Sequence, residues 1–523
     1  MRYAVLLSLL APVTAAAQDI VLDEDVPADA PPYFEVTFTV PPGTMEIEVR
    51  HDDGSDANIL DWGLRDPDGF RGWGGGNTEP IVVNAEAASR SYVPGAIQPG
   101  EWAVLIGQAL VTEPAHYRIE IELRTATTLA AQPERAPYVE SPALRAGPAW
   151  YAGDFHVHSR ESGDAGPTLD EIATFARGRD LDFVVLTEHN VVSQLDFLND
   201  AQARHPELLL IPGSEVTTYW GHANAIGVTE RVDFRVMSGG AASLDTILDA
   251  VEAQGAIFSI NHPVLELGDQ CLGCAWGLEA PADRVQAVEV QNLAYSVTGT
   301  LFYRRAVAFW DDLLDRGGRA AAIGGSDDHR AGAGTGTLTS PIGGPTTMVY
   351  ADALSASAVV QAVREGRTVV KLEGPGDPMV ELLAGELRIG DTITARTAEL
   401  RAIVTGGQGG RLRLLRNGQR HGDAIVVDAD PFETTLAIRA PDGDQDDRWR
   451  AQLDVDGAPR VVTSHLWIEA TGEPIQPDAG APPDAGPAAT SGGCGCRAAQ
   501  ATSPAPMLLA LVALIALIIQ RHR

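Results

Sequence analysis

The sequence predicts an α/β segment, a barrel or a parallel sheet, set between two β-sandwiches. Three observations carry this. Between about residues 146 and 375, short apolar runs ending in polar residues (LDFVVLTEH, ELLLIPGSE, AIFSINHP, VQAVEVQN, AAAIGGSDDH) alternate with amphipathic stretches such as TLDEIATFARGR and SLDTILDAVEAQ. On either side the rhythm is period-two and punctuated by turns. At 523 residues the chain exceeds what one core holds, so several domains are expected.

Taken in order, residues 1–17 open with Arg2, continue as an apolar run and end in Ala15-Ala16-Ala17. This reads as a secretory signal peptide. Residues 20–123 carry YFEVTFTV, TMEIEVRH, EWAVLIG and HYRIEIEL between PPG, DDGSD and DPDG turns, an N-terminal antiparallel sandwich. A Thr/Ala/Pro-rich connector (124–145) leads into the α/β segment. From 376 to 470 the strand rhythm returns in LRAIVTG, RLRLLRNG, TTLAIRAP and HLWIEA, a second and Ig-like sandwich. Residues 471–493 form a Pro/Ala/Asp-rich linker that cannot build a core.

The tail (494–523) holds Cys494 and Cys496, an apolar run over 507–519, and Arg521 and Arg523 at the end. The order SGGCGCRAA, apolar helix, basic residues resembles the MYXO-CTERM sorting tail of myxobacterial surface proteins, over about the last thirty residues. That resemblance implies processing near Cys494 or Cys496. A plain C-terminal membrane anchor is the alternative, with the basic end inside. Either way the expected location is the cell surface or outer membrane, or the medium after release.

Composition narrows the partners. Seventy-one acidic residues stand against 38 basic ones, a formal charge of −33, and such a field repels phosphate backbones, so nucleic acid is excluded as a partner. Hydrophobic content of 45% with 21% charged residues is that of folded protein. The remaining cysteines, Cys271 and Cys274, lack the second CxxC of a zinc ribbon. In an exported chain a loop disulfide is the better reading.

Chemistry concentrates at the strand ends of the α/β segment, where such folds collect their sites. Six of the 12 histidines lie there: His156 and His158 in HVH, His189 in TEHN, His222 in GHAN, His262 in NHP and His329 in SDDH. Glu215 (PGSE) and Asp327 accompany them. One histidine in an apolar strand is most often a satisfied core residue. Six at strand ends, with acids, point to a polynuclear metal site. His156 and His158, two apart on a strand, face one side and can chelate one ion. Imidazole with carboxylate suits zinc, manganese or iron. Asp154 reads as a strand residue or a neighbour of the site rather than as a ligand.

The ordered set HxH, TEHN, GSE, GHANAIG, NHP and SDDH, with the later run IGGPTTMVYADALSASAVVQAVREGRTVV, resembles the PHP (polymerase and histidinol phosphatase) metallohydrolases, and within them the CehA/McbA-like branch. The resemblance spans roughly residues 146–375. It implies a distorted (β/α)7 barrel holding two or three divalent ions. By motif, His156, His158, Glu215 and Asp327 would hold the first ion. Glu215 would bridge to a second, held also by His222 and His262. His189 and His329 would hold a third with a residue of the loop after HVH. Many members have a histidine in that loop; here Asp164 is the candidate and Glu161 the second choice.

The expected activity is hydrolysis of a phosphate ester by a metal-bound hydroxide, with a small-molecule or surface-associated ester as substrate. His329, Asp328 or Glu188 would serve as the acid at the leaving group. Arg160 and Arg330 either grip phosphate or serve solubility. Carboxyl-ester or carbamate hydrolysis on the same site is the alternative. A lysine-bridged amidohydrolase is disfavoured, because Lys371, the chain's one lysine, follows Asp327 in the motif order. No GxSxG elbow stands in the segment. The other class is a surface adhesin whose metal is structural, with the sandwiches contacting polysaccharide or matrix. A donor set larger than four argues for catalysis instead.

Overall fold

The structure is a computed structural model that describes residues 18–236, 243–334, 336 and 339–470. The expected signal peptide, linker and sorting tail lie outside the described residues. Among those described, no helix is long and apolar enough to cross a membrane.

The first eight strands form two four-stranded antiparallel sheets. One holds Gln18–Asp25, His116–Arg124, Glu46–Asp52 and Ile81–Asn84 in that spatial order. The other holds Tyr33–Val40, Gly100–Leu110, Ile59–Asp66 and Gly69–Gly75. The reason is visible in alternation: in the strand Tyr117 to Leu123, the odd positions Tyr117, Ile119, Ile121 and Leu123 point inward. There they meet Trp62, Leu64, Trp102 and Ile106 of the facing sheet.

The central segment is numbered here on its own. Its strands are β1 (Arg145–Val157), β2 (Phe183–His189), β3 (Leu209–Thr218), β4 (Gly221–Ile226), β5 (Ile257–Ile260), β6 (Ala287–Gln291), β7 (Ala321–Gly324), β8 (Thr346–Leu354) and β9 (Thr368–Lys371). Its helices are α1 (Leu169–Arg177), α2 (Leu195–Arg204), α3 (Leu244–Ala253), α4 (Val297–Asp315) and α5 (Ala356–Arg364). The sheet runs β7-β6-β5-β4-β3-β2-β1-β8-β9. Beyond β7, Asp328 forms a parallel bridge with Val157 at the end of β1.

This is not a regular (β/α)7 alternation. Strands β3 and β4 form a hairpin, β4 is also antiparallel to β5, and β8 is antiparallel to β1. The physical cause is connection length: only Tyr219 and Trp220 separate β3 from β4, too few for a crossover helix. Between β5 and β6 the connection holds two short 3-10 turns in place of a helix.

Both faces of β2 are buried. Val184 and Leu186 pack with α1 and α2, while Phe183 and Val185 pack with α5. Helix starts are written locally: Thr168 and Glu171 form a capping box on α1, and Ser355 caps α5.

Past β9 the sheet continues without a break, as Val369–Lys371 pair with Val461–Thr463 of the C-terminal sandwich. The second sheet of that sandwich is Leu387–Arg388, Met379–Ala384, Thr397–Thr405 and Phe432–Arg439.

Candidate metal centre

The ends of β1, β2, β3 and β5, the start of β4, the loop between β1 and α1 and the turn after β7 bring all nine sequence-predicted ligands together. Glu215 is at the middle and 1% exposed. Its Oε1 lies 3.4 Å from His156 Nε2, 3.4 Å from His222 Nδ1 and 3.3 Å from His262 Nε2. Its Oε2 lies 2.8 Å from His189 Nδ1 and 3.7 Å from His158 Nε2. Asp327 Oδ1 is 3.1 Å from His158 Nε2, 3.4 Å from His156 Nε2 and 3.6 Å from His329 Nδ1. Asp164 Oδ2 stands 3.4 Å from both His189 Nε2 and His329 Nε2. Three compact groups result: His156/His158/Asp327, His156/Glu215/His262 and His158/His189/His329.

The donor chemistry fits divalent ions. His222 Nε2 and His262 Nδ1 face the carbonyls of Leu272 and Cys274, at 3.1 and 3.0 Å. His156 Nδ1 meets the Glu289 carboxylate at 2.8 Å, and His329 Nδ1 the Asp327 carbonyl at 2.9 Å. A carbonyl or carboxylate only accepts, so the N–H of each neutral ring is held on that outer nitrogen. In the neutral rings the inner nitrogens then present lone pairs toward carboxylate oxygens, an arrangement that repels unless a proton or a metal cation lies between. His156 Nε2, His158 Nε2 and Asp327 Oδ1 are buried with no hydrogen-bond partner.

Electrostatics agree. Burial opposes charge on His156, yet Asp327, Glu289 and Glu215 raise its pKa well above the ordinary value. Burial likewise opposes charge on Glu215 and Asp327, yet the surrounding imidazoles hold both well below the usual carboxylate range. His189 and His329 hold Asp164, whose side chain is 62% exposed, below it as well. His158 is pushed down to about 3 by burial and by neighbouring His329 and His189. Two ligand candidates also sit at positive φ, His262 at 26° and Asp327 at 56°, a conformation held by the surrounding structure.

The other predicted residues fall elsewhere. Both oxygens of buried Glu188 accept from the Ser159 N–H, at 3.3 and 2.9 Å, and Oε2 also accepts from Ser162 Oγ at 2.9 Å. Burial pushes its pKa up to about 7. Asp328 accepts from the N–H groups of Arg330, Gly332 and Ile342. Of the three acid candidates, His329 is the one in the cluster. Glu161 faces the N-terminal sandwich, accepting from Ser91 N–H at 3.2 Å. Asp154 accepts from the N–H groups of His156, Ser326 and Gly343, bracing the turn that carries Asp327. Arg160 and Arg330 are exposed.

Several contributors escaped sequence reasoning. Glu289 orients His156 and also accepts from the His262 N–H at 2.9 Å. Ser162 orients His158, and Thr217 orients His189. Gly325 is required because a side chain there would collide with His156 and Glu289. Cys271 and Cys274 are joined as a disulfide, and that small loop supplies the two carbonyls that fix His222 and His262. The signal was present: a CxxC nine residues after the NHP histidine.

No family model matches the chain, and no curated protein is similar to it. Among solved structures, it is similar to a two-domain protein of Bacteroides vulgatus described as containing a predicted PHP-like metal-dependent phosphoesterase. There the identity is 20% over 64% of this chain and 100% of that one, with a TM-score of 0.35. It is also similar to an amidohydrolase of Chromobacterium violaceum with bound sulfate, at 18% identity over 36% of this chain and 91% of that one, TM-score 0.25.

Proposed function

We propose that the protein is a metal-dependent hydrolase of phosphate esters, exported and held at the cell surface by its C-terminal tail. One observation carries the hydrolase reading: six imidazoles converge on the carboxylates of Glu215 and Asp327, and Asp164 stands against two of them. His156, His158, Glu215 and Asp327 would hold one ion, Glu215 with His222 and His262 a second, and His189, His329 and Asp164 a third.

Bound divalent ions would lower the pKa of water and polarise a phosphoryl oxygen. The chain's own residues do the rest. Buried Glu215, His156 and His158 keep bulk water from the inner side, while Asp327, His189 and His329 are about a quarter exposed and face the opening. Burial opposes a proton on His329, but Asp164 and Asp327 raise its pKa to about 9, so this imidazole would be the candidate acid where no ion takes its ring nitrogens. It can then donate to the departing alcohol. Were a third ion held by His189, His329 and Asp164, His329 would serve as a ligand rather than as the acid.

The test is metal analysis of the full chain together with turnover of phosphomonoesters, phosphodiesters and carboxyl esters. Less than one metal per chain with no turnover sinks the enzyme reading. His156→Ala and Asp327→Ala are expected to lose both metal and activity. Surface attachment is tested separately, by fractionating cells expressing the chain with and without residues 494–523.

A further inference from the structure

We propose that the substrate is a phosphodiester, with one organic substituent on each side of the metal centre; this rests on the phosphoester reading above. Two grooves meet at Asp164. One, of about 790 Å³, carries His329 and is lined by Asp170, Thr174 and Phe175 of α1, with Arg330 and Ala331. The other, of about 510 Å³, carries His189 and His222 and is walled by Asp61, Trp73, Gly76 and Asn77 of the N-terminal sandwich, with Tyr219. His189 Nε2 and His329 Nε2 are 3.3 Å apart, so a phosphorus atom at the junction faces both grooves. A monoester has one substituent and fills one groove. A diester fills both.

The second groove is a fixed part of the molecule. Tyr219 Oη donates to Asp61 Oδ2 at 2.8 Å, and the Tyr33 and Tyr219 rings stack at 5.0 Å. Ser91 Oγ donates to the Glu161 carbonyl, and Arg90 to the Ala165 carbonyl, both at 2.8 Å. A side chain at Gly163 would strike the Gly74 carbonyl, so the sandwich rests against the loop that carries Asp164. The groove is therefore built by two domains at once.

Charge points the same way. Among the described residues, Arg330 is the one lysine or arginine lining either groove, against Asp61, Asp164, Asp170, Glu171 and Asp269. A phosphomonoester carries about −1.5 to −2 charges at neutral pH, and a diester one. An acidic lining on a chain of net charge −33 disfavours the dianion. In the reaction water adds its oxygen to phosphorus as the P–O bond to one alcohol breaks. That alcohol leaves with one of the water's protons, and a phosphomonoester remains.

The test compares kcat/KM for bis(p-nitrophenyl) phosphate and p-nitrophenyl phosphate on the full chain loaded with Mn²⁺ or Zn²⁺. The diester is expected to be preferred by at least about tenfold. Thr174→Trp narrows the first groove from an exposed helix position. Gly76→Trp narrows the second, where a Cβ has ordinary contacts with Asp61 and Ile59. Each is expected to lower the diester-to-monoester ratio by about fivefold or more, with the fold checked by circular dichroism. A monoester preference, or a ratio unmoved by both folded variants, overturns the inference. Monoester turnover without diester turnover does the same while leaving the phosphoester reading standing. Turnover of neither ester removes that reading as well.

Discussion

Glu46 and Glu215 are both glutamates shut off from solvent, yet their surroundings are opposite in kind. Glu46, in the N-terminal sandwich, is 0% exposed. It accepts from Arg124 at 2.9 Å, Asn84 at 3.0 Å, Thr128 Oγ1 at 2.6 Å and the N–H groups of Thr128 and Leu129. Every lone pair is met by a donor of its own chain. Glu215 has one amide donor, Asn261 Nδ2 at 3.0 Å. Thr217 Oγ1 stands at a long 3.4 Å, and the rest of its surroundings are five imidazoles, most with their N–H groups committed outward. The first carboxylate is complete as folded; the second is completed by cations. A buried charge is tolerated only when paired, and the pairing partner separates structure from site.

The largest expected effect breaks the second environment. Glu215→Ala removes the carboxylate common to all five rings and is expected to abolish metal binding, with kcat/KM falling by about 10³ or more. Metal content per chain and turnover measure it. Next, reducing the Cys271–Cys274 disulfide, or Cys274→Ser, frees the carbonyls that orient His222 and His262. The expected result is a drop in metal affinity of about 10–100-fold, read by competition with a chelator. Unchanged affinity would show that the loop holds its shape without the bond. Asp164→Asn is smaller: one ion per chain is expected to be lost while the ions of the Glu215 groups stay. Loss of all metal would mean that Asp164 supports the whole cluster.

The smallest effect falls on Glu46. Glu46→Gln is expected to cost about 1–3 kcal/mol of stability, since donors at a buried carboxylate lose their partner, with metal content untouched. Its pH dependence has a defined sign. Burial opposes ionisation, but the bonds from Thr128, Asn84, Leu129 and Arg124 bring the pKa down from 4.5 to about 2. The stabilisation is therefore present above pH 4.5 and lost as pH falls toward 2. Melting temperatures of wild type and variant should converge over that window. A gap that persists at pH 2 would place the effect in packing rather than charge.

Much of the site was legible because strand ends announce themselves: five apolar runs stop at a histidine or acid, and with His222 at the start of β4 they mark one rim in order. The helpers were not legible. Glu289 sits inside the apolar run VQAVEVQN and looks like a core exception, and Ser162 and Thr217 are ordinary polar residues. Their importance comes from facing an imidazole 2.8–2.9 Å away, a relation across 4 to 133 positions of chain. Glu188 and Asp328 illustrate the converse. They stand next to ligands in sequence, but strand alternation and the turn after β7 direct their oxygens to backbone N–H groups.

The two sandwiches carry the same alternating pattern, and their different attachments were invisible in it. The C-terminal one extends the central sheet through backbone bonds at Val369–Lys371. The N-terminal one docks by side chains, through Tyr33, Ser91, Arg90 and Asp61. Local periodicity decides which residues form strands, which faces are apolar and which residue types stand at their ends. Those are properties of neighbours along the chain, and the sequence by itself determined them here, together with the candidate ligands. Which strands turn back as a hairpin, which donors orient the imidazoles, and which domain closes the second groove depend on contacts between distant segments. Only the tertiary structure decided these, because burial and hydrogen-bond satisfaction are settled for the whole core at once.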